Sequence, residues 1–167
     1  MRFRLAPMSP VLLVLTAIVL AIPVFLAAVA VRSPAVVSGP LYGIAAFFVL
    51  VCASVWFVFR PTAFVIEPHA LVITWPTWTR EISRDAIEEV RIVSAAEFRK
   101  EYGLGMRIGA GGLWGGFGWL KTGRETFSMW VSRIDTFVIV RVRGEKTLLI
   151  TPEDAERFVE ELTNDQS

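Results

Sequence analysis

A glycine-rich stretch, GAGGLWGGFGWLKTG at residues 109–123, is where the types and spacing of residues most suggest chemistry. Loops of this kind bind nucleotide phosphates when the spacing is G-x-x-x-x-G-K-[ST] between a strand and a helix. Here Leu120 precedes Lys121-Thr122 where that pattern requires glycine, and a strand-like run follows. The dinucleotide pattern G-x-G-x-x-G begins in GLGMRI but has Ile108 at its third glycine position. Neither spacing predicts a phosphate site.

Side chains for acid–base, nucleophilic or metal chemistry are sparse in this sequence. The single histidine, His69, lies in a predicted turn, and the single cysteine, Cys52, lies within an apolar run. Zinc sites and Ser-His-Asp or Cys-His arrangements need more such groups than one chain offers here. The adjacent carboxylates at 88–89 and 160–161 point apart on a strand or helix. We therefore predict no catalytic residue, no metal site, no cofactor and no enzymatic activity.

The elements that must position these residues divide sharply by composition. Residues 1–59 contain no Asp or Glu, and their only basic residues are Arg2, Arg4 and Arg32. Two uncharged runs, 11–31 and 41–59, each have the length of a bilayer's hydrocarbon core at 1.5 Å per residue. They predict a transmembrane helical hairpin in residues 1–60, with a turn at 32–40.

The orientation of this hairpin follows from its positive charges. Arg2 and Arg4 precede the first run and Arg60 follows the second, whereas the loop carries Arg32 alone. Under the positive-inside rule, both ends of the hairpin are expected in the cytoplasm. The alternative is a cleaved signal peptide, with MRFR as its charged start and Ala28-Val29-Ala30 as its cleavage site.

Residues 61–167 predict one small β-rich domain. Apolar alternation and β-branched runs predict about seven short strands, and Gly144-Glu145 is placed as a two-residue hairpin turn. The closing TPEDAERFVEEL predicts a helix at about 152–163, with Thr151 as its N-cap and Pro152 as its first residue. The fold class is α+β: a membrane hairpin, then a mainly antiparallel, partly open barrel capped by a C-terminal helix.

The run LLITPEDAERFVEEL resembles the ending of bacterial pleckstrin-homology-like (PH) domain proteins. The upstream pattern resembles that family too, through Arg107, Gly109, Gly112, Gly116, Gly123 and Trp130-Val131-Ser132. The resemblance implies two near-orthogonal sheets capped by the helix, preceded by two transmembrane spans. It implies no catalysis; the role it suggests is binding, scaffolding or assembly at a membrane.

Large apolar residues inside the glycine stretch are the candidate contact site. They are expected either to complete the core or to meet the bilayer, a second subunit or the transmembrane hairpin: Leu113, Trp114, Phe117, Trp119 and Leu120. Basic residues are the candidate contacts for an anion or a lipid headgroup: Arg107, Lys121, Arg124 and Arg133. Scattered surface charge is the alternative interpretation of this second set.

The expected function is a non-enzymatic interaction, scaffolding or self-assembly module. The expected location is the bacterial inner membrane, with several spans and a cytoplasmic C-terminal domain. Expected partners are the bilayer and either a second copy or another membrane protein. Nucleic acid is not expected, because the chain from Arg60 onward has a net charge of −2. The alternative function is a sensor of anionic lipid or a small ligand through the basic, aromatic glycine-rich loop.

Overall fold

The computed structural model describes residues 1–164. Its helices are α1 (Pro10–Arg32), α2 (Ala35–Ser54), α3 (Ala95–Tyr102) and α4 (Ala155–Thr163). Its first five strands are β1 (Arg2–Arg4), β2 (Ala63–Ile66), β3 (Ala70–Thr74), β4 (Thr79–Ser83) and β5 (Ile87–Ser94). The other five are β6 (Met106–Gly111), β7 (Gly116–Lys121), β8 (Thr126–Val131), β9 (Thr136–Val142) and β10 (Leu148–Ile150).

The two apolar helices pack against each other, and α2 continues into a π-helical turn, Val55–Phe59. Both are long and apolar enough to cross a membrane by length and composition. The connection between them is shorter than the predicted turn at 32–40, because α2 already begins at Ala35. Pro40 lies in its second turn, where it has no amide to donate to the Val36 carbonyl.

Strand β1 was not predicted from the sequence. It precedes α1, yet it pairs antiparallel with β2, which follows α2, with Phe3 opposite Phe64. The chain therefore leaves the β domain, forms the two helices and returns to the same sheet. Cleavage after Ala30 would remove this strand from the sheet.

The strands form two sheets that do not close into a barrel. One has the order β1-β2-β3-β4 and the other β5-β9-β10-β8-β7-β6. All pairs are antiparallel except β10 with β8. The predicted arrangement of two apolar helices, a mainly antiparallel β region and a C-terminal helix is confirmed. The ten strands found within residues 1–164 exceed the seven predicted, partly because the glycine stretch itself forms strands.

Helix α4 closes the main core between the sheets. Phe158 is fully buried, and its ring meets those of Phe3 and Phe64 at centroid distances of 5.3 and 6.1 Å. The buried Arg84 guanidinium donates to the carbonyl oxygens of Glu161 and Leu162, at 3.0 and 2.8 Å. A cation at this position satisfies the last carbonyls of the helix and opposes the negative end of its dipole.

The start of α4 differs from the prediction at Thr151 and Pro152. The N-cap is Asp154, whose carboxylate accepts the Arg157 amide. The hydroxyl oxygen of Thr151 instead accepts the Ser132 amide at 2.9 Å, and Pro152 forms a β-bridge with Leu5. The capping group is thus displaced by three residues, because the chain after β10 is held by the segment that follows β1.

A second, smaller core lies on the other face of the six-stranded sheet under α3. Phe98 and Tyr102 of this helix pack on Phe127 with centroid distances of 5.3 and 4.8 Å. Ser94 begins the helix with a capping box, in which its hydroxyl accepts the Glu97 amide and the Glu97 carboxylate accepts the Ser94 amide. The sheet is therefore covered on both faces over its central strands.

The Phe158 contacts predict how much the packing of α4 contributes to the free energy of unfolding. Phe158→Ala is expected to lower the free energy of unfolding by about 3–5 kcal/mol, since it empties a fully buried aromatic site. Thermal or denaturant unfolding in a detergent micelle measures this. Glu160→Ala, at an exposed position of the same helix, serves as the control and is expected within about 0.5 kcal/mol of the parent.

Candidate interaction site on the glycine-rich hairpin

The glycine stretch folds into a β-hairpin, β6–β7, at one edge of the six-stranded sheet. Gly109 lies opposite Gly118, and both have positive φ, +133° and +122°. A Cβ on Gly118 would lie 2.4 Å from the Ile108 carbonyl oxygen, and one on Gly109 would lie 2.3 Å from that of Phe117. The glycines therefore allow two strands to approach each other in a backbone conformation that other residues rarely adopt.

The tip of this hairpin contacts α1 at Thr16, about two helical turns from the start of the helix. The hydroxyl of the buried Thr16 accepts the Trp114 amide at 2.8 Å. As a donor, the same hydroxyl lies within hydrogen-bond distance of the carbonyl oxygens of Leu12 (2.8 Å) and Gly112 (3.3 Å). Trp114 has φ +56°, an uncommon conformation for a residue with a side chain. The Thr16 hydroxyl thus satisfies backbone polar groups of the strained turn at Gly112–Trp114.

Aromatic and cationic groups of α2 complete this contact. The rings of Trp114 and Trp56 meet edge to face at 4.9 Å, and the Arg60 guanidinium lies 4.4 Å from the centre of the Trp56 ring. Burial lowers the pKa of Arg60, although guanidinium remains charged at neutral pH.

A second junction caps the C-terminal end of the π-helical turn. Side chains of the β3–β4 loop donate to three successive carbonyl oxygens: Trp75 to Phe59 (3.1 Å), Thr77 to Phe57 (3.1 Å) and Trp78 to Val58 (3.2 Å). The indoles of Trp75 and Trp78 stack at 3.8 Å. Sequence reasoning missed this cap; its signal was the polar-aromatic composition of the WPTW segment between two strands.

The five apolar residues predicted as a contact site are separated by the hairpin register. Leu113 and Phe117 are buried in the main core, and Leu120 packs against the smaller one. Trp114 is half-buried between the core and the two apolar helices. Trp119 is exposed, with the Lys146 ammonium 4.4 Å from its ring. Core packing and contact with the helices therefore account for four of the five, and Trp119 faces outward.

The four basic residues predicted as anion contacts are also not equivalent. Arg107, Lys121 and Arg124 are exposed on or next to the hairpin. Arg133 lies elsewhere, at the end of β8, where its Nε donates to Asp135 at 2.9 Å. This guanidinium holds the pKa of the Asp135 carboxyl below its ordinary value. The pair compensates the charge of Arg133, and the other three cations lie on or next to the hairpin.

The histidine and the cysteine considered for chemistry lie in different elements of the structure. His69 is exposed in the β2–β3 turn, and Cys52 is buried within α2. Within residues 1–164, no cluster of three or more His, Cys, Asp or Glu side chains could hold a metal ion. The notable contacts are those by which hydroxyls, indoles and backbone groups join the β domain to the apolar helices.

The fold defines a class of protein: a two-sheet β domain closed by a C-terminal helix, with two apolar helices near the start of the chain. The family model described as the bacterial PH domain matches residues 62–166, and the chain belongs to that family. The resemblance seen in the sequence is thereby confirmed. No curated protein and no solved structure matches the chain.

The Thr16 contacts predict that its hydroxyl couples the hairpin to α1. Thr16→Val, which keeps the side-chain shape, is expected to lower the free energy of unfolding by about 1–3 kcal/mol, because the Trp114 amide loses its acceptor. Faster amide hydrogen exchange at Trp114 is the direct measurement. Thr163→Val removes a similar bond to the carbonyl four residues earlier, at an exposed site, and is the matched control. Equal effects of both variants would contradict the coupling.

The close approach of β6 and β7 predicts a sharp intolerance to side chains. Gly118→Ala is expected to destabilise the protein by roughly 1–3 kcal/mol, through the clash with Ile108 and the positive φ. Gly123→Ala has open space around the added Cβ and no such φ, so it should leave the melting temperature nearly unchanged. Similar melting temperatures for the two variants would show that the hairpin does not have this geometry.

Proposed function

We propose that this chain is a membrane-anchored, non-enzymatic module that serves interaction, scaffolding or self-assembly at the cytoplasmic face of the bacterial inner membrane. The observation that carries the proposal is the pairing of β1 with β2 around two apolar helices. Because β1 precedes α1 and β2 follows α2, both ends of the helical pair lie with the same β domain. A hairpin that crosses the bilayer twice satisfies this constraint.

The surfaces of the two helices support insertion. Only 17% of the most apolar window of each helix is buried, so their side chains, such as Val24 and Phe25, face outward along most of their length. The core helix of a soluble protein would bury such residues. Arg2, Arg4 and Arg60 lie on the domain side and Arg32 at the far end, which favours a cytoplasmic domain.

An interaction role is favoured by the family and by the surface of the domain. PH domains are typically binding modules, and no enzyme family matches this chain. The edge of the large sheet opposite the hairpin carries a groove of about 320 Å³ beside the start of α4. Ile92, Pro152 and Ala155 contribute apolar surface to it, and Glu153 and Glu156 contribute acidic groups. Such a surface suits a protein partner in the cytoplasm.

Membrane fractionation and cysteine accessibility test the anchoring. In a Cys52→Ala background, His69→Cys is expected to react with an impermeant maleimide only after the cell membrane is opened, whereas Ser33→Cys should react in intact spheroplasts. The protein should stay with the membrane after alkaline extraction. Release by alkali, or the opposite labelling pattern, would overturn the anchoring or its orientation.

The interaction role is tested in nanodiscs by native mass spectrometry and by photo-crosslinking from position 92. We expect either oligomers or a crosslinked partner that is lost in Glu153→Lys, Glu156→Lys. A protein that remains monomeric and forms no crosslink sensitive to these charges would contradict the interaction role and leave the anchoring result intact.

A further inference from the structure

The order of strands in the large sheet follows the axis of α1. Ala6 donates its amide to Thr151 at the end of β10, and Ser9 donates to Ser132 at the end of β8. The β6–β7 tip then meets Thr16. From Ser9 to Thr16 the chain advances about 10 Å along α1 at 1.5 Å per residue. Two strand spacings, from β8 to β6, also amount to about 10 Å.

Because these displacements match, successive strands of the sheet lie at successive depths along α1, and β6 is the deepest. With Arg32 at the far boundary, about 20 residues span the hydrocarbon core, which places the near boundary close to Leu12. Thr16 lies about 6 Å inside it, at 1.5 Å per residue. On the proposed membrane topology, the β6–β7 tip therefore meets α1 at the boundary between hydrocarbon core and headgroups, and β6 is the edge strand nearest the bilayer.

The surface that β6 presents is apolar and unpartnered. Three side chains share one face of the hairpin, since alternate residues of a strand point the same way and Trp119 is opposite Ile108. They are Met106 (63% exposed), Ile108 (44%) and Trp119 (49%); with Leu104 (84%), which lies just before β6, they are here called the edge strip. Leu104 and Met106 are among the most exposed apolar residues of the β domain, although water would favour their burial.

Cations surround the edge strip. Lys121 is opposite Met106, Lys146 covers Trp119, and Arg124 follows in the next turn. On the opposite face of the hairpin, the Arg107 side chain extends along the strand to Gly111 and Gly116, which brings its charge near the tip at α1. The nearby acids Glu125 and Glu145 are paired with Arg141 and Arg80. The surface thus combines exposed apolar side chains with a rim of uncompensated positive charge.

We infer that the edge strip is a third membrane contact, which rests on the surface of the anionic bilayer that the two helices cross. Its apolar side chains enter the interfacial layer, while the surrounding cations meet lipid phosphates. A second copy placed on the same surface would bring like charges together, which is unfavourable. The inference rests on the proposed anchoring and adds a specific lipid-facing edge to it.

Site-directed spin labelling of the full chain tests this in nanodiscs that contain phosphatidylglycerol. Single cysteines in a Cys52→Ala background are labelled, and collision rates with oxygen and with a water-soluble nickel chelate give their depth. Met106→Cys and Ile108→Cys report on the edge strip. Ile92→Cys is the matched control, since Ile92 is an exposed apolar residue on β5, the opposite edge strand of the same sheet. Val24→Cys, exposed near the middle of α1, is the hydrocarbon reference.

We expect labels at 106 and 108 to be shifted toward oxygen relative to position 92, with a depth between those of positions 92 and 24. Replacing phosphatidylglycerol by phosphatidylcholine, or introducing Lys121→Gln and Arg124→Gln, should reduce that shift.

A water-exposed label at 106 beside a lipid-exposed label at 24 would overturn the inference and leave the anchoring intact. A water-exposed label at 24 would overturn the anchoring itself. Low collision rates with both reagents at 106, or spin–spin broadening between copies, would mean that protein covers the strip, which also overturns the lipid assignment.

Discussion

The pairing of β1 with β2 is the constraint on which the rest of the structure depends. Strand β1, which lies before α1, pairs with β2, which lies after α2. The helical pair is therefore inserted between two neighbouring strands of one sheet. Both ends of the helical pair are held by the β domain. Before α1, Phe3 is buried against Phe158, and the amides of Ala6 and Ser9 bond to Thr151 and Ser132. After α2, the chain leads into β2. The helices consequently cannot reorient about a single flexible linker, because two chain segments hold them to the domain.

This double attachment explains the polar chemistry at the junction. Irregular backbone beside apolar helices loses access to water, and each unsatisfied group there is costly. Thr16 satisfies the turn at Gly112–Trp114, and the loop carrying Trp75, Thr77 and Trp78 satisfies the end of the π-helical turn. The two contacts involve different helical segments, α1 and the π-helical turn that follows α2. They join the β domain to both apolar helices through specific hydrogen bonds.

Local patterns were sufficient to predict the two apolar helices, α4 and the strands with strong alternation, such as β3 and β9. They failed where distant segments decide the structure. RFR was interpreted as a charged start because its partner in β2 lies some sixty residues away. The cap of α4 moved from Thr151 to Asp154 because Ser132 engages the threonine. For the glycine stretch, spacing excluded a phosphate site, but burial of Phe117 and exposure of Trp119 followed from the strand pairing.

The charge pattern acquires a physical meaning once the sheet order is known. Residues 91–146 carry a net charge of +5, and those from 152 onward a net charge of −5. The exposed cations Lys121, Arg124 and Lys146 gather at the β6 edge, whereas α4 packs at the β5 edge with its acids facing outward. On the proposed anchoring, the field of an anionic membrane surface, which decays within about 10 Å, would attract this domain at the β6 edge and repel it at the β5 edge. The charge distribution would then favour the same orientation of the domain as the proposed contact of the β6 edge with the bilayer.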